Sequence, residues 1–209
     1  MKVISVDLKA EFGFFKKPDT NKIVYTTFNC IHKPVILGIL GAIIGLTGYC
    51  ENDKYPEFYL ELKDLKIGIK PIGIENSAFQ KIIIKYNNSQ GYASYEVGGN
   101  LIIEEQTLIK PQYRIFIANE HPKFEKIYHY LKNRIAVYLP YMGKNDFSLW
   151  WDNFQEYSAV EFDFNSDYQI DTIFIKEKKI KDNFSSQNQK NNFDIFQIIK
   201  SFQIQHNDN

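Results

Sequence analysis

Ile4, Val6, Leu8, Ala10, Phe12 and Phe14 alternate with Ser5, Asp7, Lys9, Glu11 and Gly13, a period of two that predicts a half-buried strand at the start of the chain. The alternation then stops. Lys16 to Lys33 carries Pro18, Asp19, Thr20 and Asn21 with several lysines, which predicts a polar loop containing a short extended piece around Ile23 to Thr27. Pro34 stands where a first helical residue would, and PVILGILGAIIGL follows without a charge. Such a helix is apolar on nearly every side and has to be covered. Gly38, Gly41 and Gly45 fall on one face, where their missing side chains would allow close approach to a sheet. Each costs about 1 kcal/mol of helix propensity against alanine, so close packing is the expected compensation.

Phe58 to Pro71 alternates again and predicts a second strand region ending in LKIGIK. Ala78 to Tyr86 and Asn100 to Ile109 flank NNSQGYASYEVGG, the pattern of a long hairpin. Tyr113 to Ala118 reads as a strand, and His121 to Arg134 as a helix with Phe124, Ile127, Tyr128 and Leu131 on one side. This order predicts an α+β fold with a ferredoxin-like (RRM-like) antiparallel sheet over residues 1–151. Beyond Trp151, Ser158 to Phe164 and Gln169 to Lys176 read as two strands of a small C-terminal β extension, 152–180. From Lys181 the chain turns rich in Asn, Gln and Ser, with Phe193, Phe196, Ile199 and Phe202 at helical spacing. Residues 181–209 therefore read as a polar linker and a short amphipathic helix. No internal repeat is visible.

Composition narrows the function. The 209 residues carry 25 basic and 25 acidic side chains, a formal net charge of zero, which argues against coating nucleic acid through bulk charge. Any nucleic-acid site must be local. The distribution allows one: Met1 to Val35 holds six lysines against three acids, whereas Ile135 to Ile175 sets Lys144 alone against seven acids. Only Arg114 and Arg134 are arginines, so phosphate contacts would fall mainly to lysine, a point charge without a bidentate fork. Cys30 and Cys50 are too few for a disulfide framework and lack zinc-site spacing, which fits a reduced compartment, the cytoplasm. The first residues carry Asp7 and Glu11 and do not form a secretory signal. The strongly apolar run Pro34 to Leu46 is only 13 residues, so a buried helix is expected and no membrane contact.

No phosphate loop, dinucleotide fingerprint or HExxH stretch is present, and no catalytic Ser, His and Asp set can be recognised. No metal site and no cofactor are expected. His32 and Lys33, in IHKP, sit at the predicted helix N-terminus, where backbone N–H groups and the helix dipole favour phosphate, although an ordinary loop histidine fits as well. FFKKPDTNK joins aromatics to lysines, a composition suited to stacking bases while neutralising phosphates, and equally to a solvated lysine face. YLPYMGKNDF combines Tyr138, Tyr141, Gly143, Lys144 and Asn145, with glycine permitting close backbone approach.

MKVISVDLKAEFGFFKKPDT, the glycine-spaced LGILGAIIGL, LKIGIK, KPQYRIFIA and YLPYMGKNDF follow one another in the order and approximate spacing of the Cas-five proteins of the RAMP superfamily, especially the type I-B kind. The resemblance spans about Met1 to Trp151. The chain departs from the family in reading FNCIHKP where a proline-rich approach to the helix is common. The resemblance implies a type I CRISPR Cascade subunit with an RRM-like fold and a protruding thumb hairpin, about 79–110. It implies capping of the 5′ handle of the CRISPR RNA (crRNA), next to the backbone and large subunits, with target DNA met through the assembled complex. It implies no catalytic residues, although related subtype I-C proteins cleave repeat RNA without metal, which makes a metal-independent endoribonuclease the alternative. The residues assigned to RNA contact are Lys16, Lys17, Thr20, Tyr25, His32, Lys33, Lys81, Lys85, Arg114, Tyr141, Gly143, Lys144 and Asn145.

Overall fold

The computed structural model describes residues 1–18, 24–74, 78–87, 102–161, 172 and 202–204. In chain order the elements are β1 (Lys2–Ala10), β2 (Phe12–Gly13), β3 (Val24–Tyr25), α1 (Lys33–Ile44), α2 (Glu57–Leu62), β4 (Ile67–Pro71), β5 (Lys81–Asn87), β6 (Ile102–Ile109), β7 (Gln112–Ala118), α3 (Phe124–Lys132), β8 (Leu149–Glu161) and β9 (Phe202–Ile204). One sheet runs β4-β7-β1-β8-β9 and is antiparallel throughout. Its four principal strands with α1 and α3 make the β-α-β-β-α-β order of a ferredoxin-like sheet. A second sheet runs β2-β6-β3, with β5 also paired to β6.

Ile4, Val6, Leu8 and Ala10 of β1 enter the core together with Ile36, Leu37, Leu40, Ile43 and Ile44 of α1 and Phe124, Ile127 and Leu131 of α3. Each of the Val, Leu, Ile and Phe side chains among these, fully buried, contributes about 1.5–3 kcal/mol relative to exposure. The alternating pattern of β1 predicts one wet face, but Ser5 and Asp7 are buried as well, at 0% and 4% exposure. Asp7 stays inside because polar groups converge on it. Arg114, its cross-strand neighbour, donates to Oδ1 at 2.7 Å and Oδ2 at 2.9 Å, and Asn153 donates to Oδ2 at 2.9 Å. Asn153 lies where the β1–β8 register shifts and has a φ of 52°, so a bulge re-aims its amide toward Asp7. Burial pushes the Asp7 carboxyl up, but hydrogen bonds from Arg114 and Asn153 and the charges of Arg114 and Lys9 outweigh it, leaving its pKa below the ordinary value.

Four expectations need correcting. The glycines of α1 approach a helix rather than a sheet: a Cβ on Gly41 would come within 2.4 Å of the Phe58 Cβ on α2, and Gly38 also faces Phe58. Phe58 to Leu62, expected as strand, is helical, because α2 is too short for its apolar positions to distinguish the two periods, and it buries Leu62 while exposing Leu60. The strand expected from Ser158 begins nine residues earlier, at Leu149, and runs through position 151 as the partner of β1. Phe202, expected on a helix, lies in β9, which adds to Ala159–Glu161 at the free edge of β8. Phe193, Phe196 and Ile199, the Gln169–Lys176 strand apart from Thr172, and the hairpin tip fall outside the described residues. α1 has 12 residues, and among the described residues no helix is long and apolar enough to cross a membrane.

Replacing Asp7 with alanine is expected to cost roughly 3 kcal/mol, the low end for breaking a buried ion pair, since the Arg114 side chain keeps 23% exposure. Because the folded pKa of Asp7 is depressed, its contribution is complete above the ordinary carboxylate range. It is lost as pH falls through the lower folded value. Denaturant melts of wild type and Asp7→Asn should therefore converge in acid; an equal gap at all pH values would remove Asp7 from this role.

Candidate nucleic-acid interface

The loop after β2 folds back on itself. Lys17 N–H donates to Thr26 O at 2.9 Å, Phe28 N–H to Phe15 O at 2.8 Å, and Phe15 N–H to Thr27 Oγ1 at 2.8 Å. These bonds fix Lys16 and Lys17 against the aromatics of the returning arm. The Lys16 ammonium sits 4.2 Å from the centre of the Tyr25 ring, and that of Lys17 is 5.7 Å from the Phe28 ring. The returning arm includes β3, which pairs in parallel with Glu104 and Glu105 of β6. On the other side of β6, β5 places Lys81 opposite Leu108, and the Lys81 ammonium donates to Asn29 Oδ1.

Lys17 and Lys81, 64 positions apart in sequence, are thus brought to the adjacent residues Phe28 and Asn29. Burial and then the neighbouring Lys17 charge hold the Lys81 pKa below the ordinary lysine value. Among the described residues neither ammonium has an acidic partner within ion-pair distance. An anion in this place would relieve their repulsion. Three residues further on, His32 caps α1 without a side-chain cap bond, its ring 5.4 Å from Phe28 and 6.1 Å from Phe15. Burial lowers its pKa, so the imidazole is neutral at pH 7, and its Nδ1 is buried without a hydrogen-bond partner.

The other assigned residues sort differently. Lys33 is buried at 9% exposure, and burial lowers its pKa against the raising influence of Asp64, so its ammonium belongs to the fold's interior. Arg114 is held by Asp7, Lys85 by Glu104 at 3.0 Å across β5 and β6, and Lys144 by both oxygens of Glu105. These cations already have counter-charges. Tyr141 and Asn145 are exposed on the loop between α3 and β8, and Tyr141 forms an isolated bridge with Ser148. Gly143 has a φ of 90°, and a Cβ there would stand 1.9 Å from the Phe14 carbonyl oxygen. Its glycine serves a protein contact. Thr20 lies outside the described residues.

Sequence reasoning missed Phe28, Asn29 and Glu105. Phe28 and Asn29 directly precede the IHKP segment and extend the aromatic–basic composition, whereas nothing along β6 marks Glu105 as the buried acid of its pair. Among the described residues no group of three or more His, Cys, Asp or Glu side chains is placed to hold a metal ion.

No family model and no curated protein matches the sequence. Among solved structures, the chain is similar to one described as a CRISPR RNA-guided surveillance complex, with 12% identity and a TM-score of 0.49 over 68% of this chain and 58% of that one. It is similar to a Cas protein structure at 13% identity and a TM-score of 0.42, over 68% and 57% of the two chains. A CRISPR protein from Archaeoglobus fulgidus matches at 13% identity and a TM-score of 0.40, over 78% and 67%. The chain spans less than two thirds of the length of the first two.

Gly143→Ala should lower stability by about 1–3 kcal/mol through its backbone conformation alone, and further through the clash with Phe14. Gly48→Ala, where a Cβ meets nothing within 4 Å, is the matched control. Equal melting temperatures for the two variants would contradict the close approach of residue 143 to Phe14.

Proposed function

We propose that this chain is a non-catalytic RNA-binding subunit of a type I CRISPR Cascade complex, capping the 5′ handle of the crRNA beside the backbone and large subunits. The observation that carries this reading is the approach of Lys17 and Lys81 to Phe28 and Asn29 with no acidic partner for either among the described residues. Paired ammonium groups next to aromatics suit a single-stranded backbone, whose phosphates neutralise the lysines while bases stack. The five ordered segments shared with Cas-five proteins supply the kind of RNA and the partners. By the same resemblance the β5–β6 hairpin acts as a thumb lying along the guide next to the backbone subunit, and target DNA is met through the assembled complex.

A second reading has one specific observation in its favour. His32, neutral and with an unbonded Nδ1, packs on the same Phe28 ring that Lys17 approaches, and Lys81 has a lowered pKa; such groups are of the kind that exchange protons during metal-independent RNA cleavage. Incubating the purified protein with repeat RNA in EDTA separates the two: an intact RNA in a stable complex supports the binding subunit, and site-specific cleavage overturns it.

Lys17→Ala and Lys81→Ala should each weaken RNA binding to a similar degree across sequences. Each should reduce the slope of log affinity against log salt by about 0.7, the value for one phosphate contact on a single strand. Lys54→Ala, whose ammonium pairs with Glu51 on the surface, should leave the slope alone. Unchanged slopes in both of the first two variants would remove this cluster from the RNA.

A further inference from the structure

Lys144 is the lone base in an acidic stretch of sequence, and the structure uses it inside the protein. Its ammonium donates to Glu105 Oε1 at 3.0 Å and Oε2 at 3.1 Å, and the Glu105 side chain is only 3% exposed. The same ammonium lies 4.9 Å from the Tyr86 ring of β5, 5.4 Å from Phe147 and 5.8 Å from Phe14. The loop that carries it is anchored independently: Phe14 N–H donates to Met142 O at 3.0 Å, and Met142 N–H to Phe147 O at 2.8 Å. One loop therefore grips both the segment leading to Lys16 and Lys17 and the strand opposite β5.

Glu105 occupies a junction. It pairs with Ile84 of β5 on one side of β6 and with Tyr25 of β3 on the other. Three residues along, Leu108 pairs with Lys81 and with Gly13. Both arms that bring a lysine to the cluster hang on β6, and Lys144 holds β6 at the residue between them. We propose that Lys144 is a positioning residue: through Glu105 it fixes β6 to the loop between α3 and β8 and so keeps the Lys17 and Lys81 ammoniums together. Lys144 need touch no RNA to govern its binding. The RNA part of this inference rests on the function proposed above; the mechanical part does not.

The pair also has the chemistry of a durable clamp. Burial disfavours the Lys144 ammonium, but the hydrogen bonds and charge of Glu105 outweigh it, and its pKa is raised above the ordinary lysine value. Removing Lys144 leaves Glu105 without its counter-charge in a place with little water. Thr107, whose hydroxyl lies 3.4 Å from Glu105 Oε1, cannot replace a charge.

Three variants test the assignment: Lys144→Met, Glu105→Gln and Lys144→Arg. Amide exchange is followed by mass spectrometry, and RNA affinity is measured across salt at a temperature where each variant is folded. With the clamp, Lys144→Met and Glu105→Gln both speed exchange in β5 and β6 relative to β1 and β7. Both weaken RNA binding about tenfold with the salt slope unchanged, and Lys144→Arg restores exchange and affinity. If Lys144 instead contacts a phosphate, Lys144→Met lowers the slope by about 0.7 while Glu105→Gln, which frees the ammonium, leaves affinity equal or higher. That pattern overturns the proposal. If the wild-type protein binds no RNA, the proposed function fails, and the exchange data alone decide the clamp: unchanged exchange in β5 and β6 of both variants refutes it, and faster exchange supports it.

Discussion

Two neighbouring ammonium groups that have no acidic partner among the described residues repel one another, so the protein around Lys17 and Lys81 has to supply the restraint that their own chemistry opposes. β6 supplies it. Backbone pairing to β5 fixes Lys81, and pairing to β2 and β3 fixes the two ends of the loop that carries Lys17. Asn29 accepts from Lys81, and the ring faces of Tyr25 and Phe28 accommodate the lysines of the loop. These contacts offset part of the repulsion without neutralising it, and the positive potential remains available to an anionic partner.

The larger sheet bears on the same question from the other direction. In an RRM, exposed aromatics on the sheet face stack bases. Here the equivalent face carries Asp7, Arg114 and Asn153 in a hydrogen-bonded network that reaches Ser5 through Gln155 and Tyr157, and Ser5, Asp7 and Phe116 are buried. Thr172 adds to the cover, its methyl group 3.5 Å from the position a Cβ on Gly68 would take. The centre of the sheet is thus committed to the protein's own stability, whereas Lys17 and Lys81, without an acidic partner among the described residues, lie on the smaller sheet and its loop. Glu105 and Asp7 play parallel parts: each is a nearly buried carboxylate that holds a cation from a remote segment.

Several features are legible in the sequence because they depend on local patterns. The alternation in β1, the charge-free run of α1 after Pro34, the two arms of the hairpin and the apolar stripe of α3 each announce an element, since backbone period and side-chain polarity are read over a few residues. The aromatic–lysine composition of FFKK already marks the loop that reaches the cluster. Where the pattern was short or ambiguous it misled: α2 is six residues long, and β8 opens with Leu149, Trp150 and Trp151, which do not alternate in polarity.

What only the tertiary structure decided is which charges are spent. Lys17, Lys85, Arg114 and Lys144 look alike as cations along the chain, and nothing within ten residues of any of them tells whether an acid will be opposite. Glu104, Asp7 and Glu105 reach Lys85, Arg114 and Lys144 across strand pairs or between a strand and a loop 19 to 107 positions away, while Lys17 and Lys81 come to the adjacent residues Phe28 and Asn29. Coulomb interactions follow distance in space, and that distance is set by sheet order and register. The sequence by itself therefore determined the elements and the supply of lysine and aromatic side chains, and the fold determined which lysines meet a counter-charge among the described residues.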